Sequence, residues 1–100
     1  MSQEFNVVVL GASGAVGQTM IEILEERNFP VAKLFPLASS RSAGETVSFH
    51  GKQVEILDVE KFDWTQAQIG FFSAGGDVSE KWAPIAAEAG CVVIDNTSHF

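Results

Sequence analysis

The chain has 100 residues, enough for one domain with a modest core. It is 46% hydrophobic and 19% charged, a globular balance that argues against disorder. Six basic residues face 13 acidic ones, a formal charge of −7, which argues against nucleic acid as a general partner and against a polybasic membrane anchor.

Phe5 to Leu10 reads FNVVVL, a β-branched apolar run suited to a strand buried on both faces. Gly11-Ala12-Ser13-Gly14 breaks it, and from Ala15 the period changes. Val16, Met20, Ile23 and Leu24 form one helical stripe, with Gln18, Glu22, Glu25 and Glu26 on the other side. Asn28 and Pro30 stop this helix near Arg27. Val31 to Ala38 reads as a second strand, although Pro36 sits inside it. Ser39 to Gly44 is a polar loop. Thr46–Phe49 and Gln53–Leu57 alternate around His50-Gly51, the pattern of a hairpin. Glu60 to Gln68 suggests only a short helical turn.

Ile69 to Phe72 is another buried strand. Asp77 and Glu80 have capping-box spacing and predict a helix start, with Pro84 imposing a kink or a short opening turn. Gly90 ends that helix and Cys91 to Ile94 forms the last strand. The order strand–helix–strand, hairpin, strand–helix–strand predicts an α/β fold: a Rossmann-like, mainly parallel sheet with flanking helices and a hairpin insertion. Only the first mononucleotide-binding half and part of the second fit into 100 residues. The expected organisation is therefore one dinucleotide-binding unit over 1–100, incomplete here and part of a longer enzyme.

Gly11-Ala12-Ser13-Gly14-Ala15-Val16-Gly17 is the strongest local signal. It lies between a buried strand and an amphipathic helix. Gly11 permits a tight turn, Gly14 permits close approach of a pyrophosphate, and Gly17 lets the helix pack closely. Free N–H groups at the helix start then hold phosphate. A plain strand-to-helix turn is the competing reading. The strand end Ser39-Ser40-Arg41-Ser42 has no carboxylate for a ribose 2′-hydroxyl. Arg41 offers a guanidinium fork suited to a 2′-phosphate, with Ser42 beside it, so NADP is favoured over NAD. A solvated loop arginine is the alternative. Ser73-Ala74-Gly75-Gly76 is either a close backbone approach to a nucleotide or a flexible turn. Asp95 to His99 ends a strand and is dense in hydrogen-bonding groups, though His99 has no visible partner.

Cys91 opens an apolar strand with no base near it in sequence, and reads as a small hydrophobe rather than a nucleophile. Trp64 and Trp82 read as core or domain-contact residues. One cysteine and two distant histidines supply no structural zinc site, so no metal is expected. A single cysteine also fits a reducing cytoplasm. No secretory signal or membrane-spanning run is visible.

GASGAVG after the first strand, then ASSRSAG, FFSAGG and VIDNTSHF, in that order, resemble bacterial aspartate-semialdehyde dehydrogenase over the whole chain. The resemblance implies an NADP-dependent cytoplasmic homodimer of amino-acid biosynthesis, leading to lysine, methionine and threonine. Its reaction is reductive dephosphorylation of β-aspartyl phosphate to aspartate semialdehyde. By position, Gly11, Ser13, Gly14, Ala15 and Val16 would bind the cofactor phosphates, Arg41 and Ser42 the 2′-phosphate, and Ser73, Ala74 and Gly75 the nucleoside. Asn96 and Thr97 would lie beside the substrate. No catalytic residue is assigned within the chain, because the family's catalytic cysteine and histidine lie beyond residue 100. N-acetyl-γ-glutamyl-phosphate reductase and a non-catalytic nucleotide-binding paralogue are the alternatives.

Overall fold

In the computed structural model, residues 4–73 and 76–95 are described. Strand β1 (Phe5–Leu10) is buried on both faces, as its unbroken apolar run dictates. Val7 and Val9 enter one core cluster, Val8 and Leu10 the other. Gly11, at φ 87°, turns the chain into α1 (Ala15–Glu26).

The buried face of α1 is Gly17, Met20, Ile21 and Leu24. The expected stripe is thus rotated: Val16 is 37% exposed and Ile23 only half-buried, while Ile21 takes a core place. Gly17 sets the rotation. The position that must lie closest to the preceding loop faces inward, and its neighbours three, four and seven residues on follow it. Asn28 ends the helix at φ 50°, donating to the Glu25 carbonyl (3.1 Å), while Phe29 donates to Leu24 (3.0 Å), a Schellman closure.

Strand β2 (Val31–Ala38) runs parallel to β1 and contains Pro36 opposite Val9. Leu37 accepts from Gly11 on the β1 side, so by alternation Pro36 aims its nitrogen at the other side. There the next strand pairs only with Leu37 and Ala38, and the missing donor costs no ladder bond.

The hairpin forms as β3 (Thr46–Phe49) and β4 (Lys52–Glu55), a two-stranded sheet of its own. Its turn residues His50 and Gly51 both have positive φ, the geometry that matches strand twist. The second strand ends two residues before the expected Leu57. Ile56 is buried and donates to the Glu45 carbonyl (2.7 Å), and Leu57–Asp58 leaves the hairpin to join the parallel sheet as β5. The alternation of Val54 and Ile56 masks this crossing. Two 3-10 turns follow, Val59–Lys61 and Trp64–Gln66, where one was expected. The carboxylates of Asp58 and Asp63 cap them by accepting from the Glu60 and Thr65 N–H groups, both at 3.0 Å.

Strand β6 (Ile69–Phe72), helix α2 (Gly76–Glu88) and strand β7 (Val92–Asp95) follow among the described residues, β7 lying one residue later than expected because the Cys91 N–H closes α2. Asp77 lies inside the first turn of α2 rather than before it. No separate opening turn forms, and Pro84 sits within one continuous helix. Gly90, at φ 93°, donates to Ala87 while Cys91 donates to Ala86, the same closure that ends α1.

The sheet order is β5-β2-β1-β6-β7, every pair parallel. The order reverses direction at β1. Right-handed crossovers therefore place the covers of the two halves on opposite faces. α1 and the hairpin share one core cluster; α2 and the 3-10 turns share the other. The hairpin thus covers the face where a crossover helix would otherwise lie. Among the described residues no helix is long and apolar enough to cross a membrane.

Candidate nucleotide-binding cleft

Ligands in open parallel sheets sit outside the carboxyl ends of the strands, at the point where strand order reverses. A cleft of about 480 Å³ lies there. Leu10, Gly11 and Ser13 form one wall, Ala38 and Ser39 at the end of β2 a second, and Val59 and Glu60 after β5 a third. Val78, Lys81 and Trp82 of α2 close it.

The glycine loop is held from beneath. Gly11 and Ala12 donate to the Leu37 carbonyl at 2.9 and 3.1 Å, and Gly14 donates to Gly11 at 3.0 Å. A Cβ on Gly17 would run into the Gly11 carbonyl oxygen and lie 2.7 Å from its carbon and 2.9 Å from the Ala12 Cα. Only glycine lets α1 approach this loop so closely. Gly14 differs: a Cβ there would lie 3.5 Å from the Gly11 oxygen, an ordinary contact. Ser13, Gly14, Ala15 and Val16 are exposed. No side chain caps α1, so the N–H groups of its first turn, which have no acceptor within the helix, are open to an anion.

Arg41 is exposed on the turn after β2, with no ion pair to another described residue. The turn itself is tight. Ser39 accepts from Ser42 (3.0 Å) and Ala43 (3.2 Å), and Gly44 donates to Ile56 (2.9 Å). Ser42 is half-buried. Ser73 follows β6, where both its N–H (3.0 Å) and its hydroxyl (2.7 Å) donate to the Leu10 carbonyl. Its hydroxyl proton is therefore committed to tying β6 to β1. Ala74, Gly75, Asn96, Thr97 and His99 lie outside the described residues.

Sequence reasoning missed the cleft wall made by Val59, Glu60, Val78, Lys81 and Trp82. Val78, Lys81 and Trp82 are spaced i, i+3, i+4, so they share one helix face, a signal that was present. Trp82 already has Trp64 stacked at 6.3 Å and the Lys81 Nζ 5.1 Å over its ring, which makes it wall rather than a free stacking platform. Cys91 is 4% exposed, and burial pushes its thiol above the usual range, so it is no ready nucleophile. Among the described residues no group of three or more His, Cys, Asp or Glu is placed to hold a metal ion.

Comparison with known proteins agrees with this geometry. The family described as "Semialdehyde dehydrogenase, NAD binding domain" matches residues 6–100. An aspartate-semialdehyde dehydrogenase of Shewanella violacea is 93% identical over the whole chain, and one of Shewanella sp. (strain DB6705) is 91% identical. The chain spans 30% of the length of each. The crystal structure of aspartate semialdehyde dehydrogenase II from Vibrio cholerae, complexed with ASA, superposes with a TM-score of 0.93 at 65% identity. That likeness covers 98% of this chain and 32% of that one. With a strand–glycine loop–helix start at the sheet's reversal point and this match over nearly its full length, the chain belongs to the semialdehyde dehydrogenase NAD-binding domain family.

Proposed function

We propose that the cleft binds NADP and that this chain is the cofactor-binding portion of an aspartate-semialdehyde dehydrogenase. That enzyme reductively dephosphorylates β-aspartyl phosphate to aspartate semialdehyde. The observation that carries the reading is the contrast between two glycines. The fold demands glycine at position 17, where a Cβ meets backbone, but leaves room for a Cβ at position 14. Glycine at 14 is explained by a group arriving from outside, at an uncapped helix start.

In this reading the N–H groups at Ser13, Ala15 and Val16 hold the pyrophosphate, while Gly14, whose own N–H is taken by the Gly11 carbonyl, lets the phosphates come close to the backbone. Gly11 supplies the turn that brings those N–H groups together. Arg41, with no ion pair among the described residues, forks to the 2′-phosphate with Ser42 beside it. Ser39, at the end of β2, offers a hydroxyl rather than the carboxylate that would repel that phosphate. Ser73, Ala74 and Gly75 line the nucleoside, and Asn96 and Thr97 stand beside the substrate. The bound dinucleotide supplies the hydride; the chain's own part is to bind and orient it. The cytoplasmic homodimer rests on the resemblance alone.

Arg41→Ala in the full-length protein tests the reading. Titration calorimetry at low ionic strength should show NADP binding weakened about ten- to a hundredfold, because hydrogen bonds to charged groups contribute about 1.5–3 kcal/mol. NAD, which has no 2′-phosphate, should bind almost unchanged. Equal weakening of both cofactors would make Arg41 a support of the loop, and no change at all would make it a solvated surface residue.

A further inference from the structure

We infer that Glu25 is a positioning residue for the turn that carries Arg41 and Ser42, an inference that rests on reading that turn as the 2′-phosphate contact. Helix α1 bears the glycine loop at one end and Glu25 near the other. The Glu25 carboxylate, half-buried, accepts from the His50 main-chain N–H at 3.0 Å. His50 is the tip of the hairpin. From the tip the β3–β4 ladder runs back to the pair Thr46–Glu55, braced by the Thr46 hydroxyl donating to Gln53 Oε1 at 2.9 Å.

At its far end the hairpin is bonded into the Arg41 turn. Ile56 donates to Glu45 (2.7 Å), Gly44 to Ile56 (2.9 Å), Glu45 to Ser42 (3.1 Å) and Ser42 to Ser39 (3.0 Å). The Glu25 side-chain bond and the run of main-chain bonds beyond it thus join the end of α1 to the residue beside Arg41. One helix sets both contacts: its first turn faces the pyrophosphate, and its last turn clasps the lever that holds the 2′-phosphate turn.

The clasp matters because the hairpin is a two-stranded sheet of its own, with no ladder to the main sheet to hold it. Open grooves flank it, one of about 390 Å³ between α1 and its first strand and one of about 360 Å³ between the hairpin and the start of β2. Val47 and Phe49 anchor one face of the hairpin in the core. They fix its depth; Glu25 fixes its tip against swinging across the sheet.

The test uses the full-length protein, with Arg41→Ala as reference and dissociation constants for NADP and NAD measured by titration calorimetry. Glu25→Ala should weaken NADP about three- to tenfold, the worth of one ordinary hydrogen bond, and leave NAD unchanged. Glu25→Gln keeps an oxygen acceptor for the His50 N–H and should restore NADP binding to within about twofold of wild type. His50→Gly keeps both the N–H and the positive φ, and should bind like wild type. If Arg41→Ala is selective for NADP while Glu25→Ala affects both cofactors alike or neither, the positioning role is wrong and the loop reading stands. If Arg41→Ala is itself unselective, both fall.

Discussion

Two glycines three residues apart, Gly14 and Gly17, differ in what a methyl group would meet. At Gly17 it would meet backbone: the Gly11 carbonyl and the Ala12 Cα, atoms already fixed by bonds to β2. Backbone cannot rotate aside as a side chain can. Gly17→Ala must therefore push α1 off the sheet or break the loop's bonds to Leu37. We expect a loss of about 3 kcal/mol or more in urea denaturation, at or above the upper end of ordinary overpacking. Dinucleotide binding should fall with it, because the same shift moves the helix start. A stability within error of wild type would mean that α1 slides without cost, and that the close contact is not what fixes its rotation.

At the scale of elements, both helices finish with the same device, and each delivers the chain into a parallel strand. Asn28 and Gly90 occupy equivalent left-handed positions, but the residues are not equivalent in tolerance. Asparagine bears this conformation at small cost, whereas other L-residues pay roughly 1–2 kcal/mol. Gly90→Ala should thus lower stability by about that amount. Gly90→Asn should lower it less, and the order of the two midpoints in one denaturation series checks the point. Equal loss in both variants would show that crowding at the site, not backbone conformation, sets the cost.

The elements legible in the sequence were those whose reason for forming is local. β1, β2, β3 and β6 stand at the predicted limits because runs such as FNVVVL and IGFF leave no other way to bury their side chains. The rotation of α1 was not legible. Counting apolar residues gives Val16 and Ile23 the weight that Gly17, with no side chain, takes from them in three dimensions. Nor was β5 legible, since its two residues become a strand only by lying beside Leu37 and Ala38. Missing β5 hid the Val59 and Glu60 wall of the cleft. The glycine loop was legible as a tight strand-to-helix turn because Gly11 and Gly17 answer to constraints that residue type alone meets. The residues around them depend on which strand ends meet.

At the scale of the whole molecule, the sheet is asymmetric at its two sides. β5 shields β2 only at Leu37 and Ala38, and the first half of β2 has no parallel neighbour on that side. A bare strand margin is where chains of the same protein zip together into insoluble aggregates. Two residues blunt it. Pro36 offers no N–H to an incoming strand, and Lys33, exposed with its Nζ 5.1 Å over the Phe35 ring, puts a charge along the margin. Pro36 looked like a blemish in a predicted strand; buried and without an N–H, it ends the stretch of β2 that an incoming strand could pair with. Replacing both residues by valine in the full-length protein should leave circular dichroism unchanged while raising light scattering with concentration. If the double variant stays as soluble as wild type, the neighbouring hairpin alone keeps other chains away.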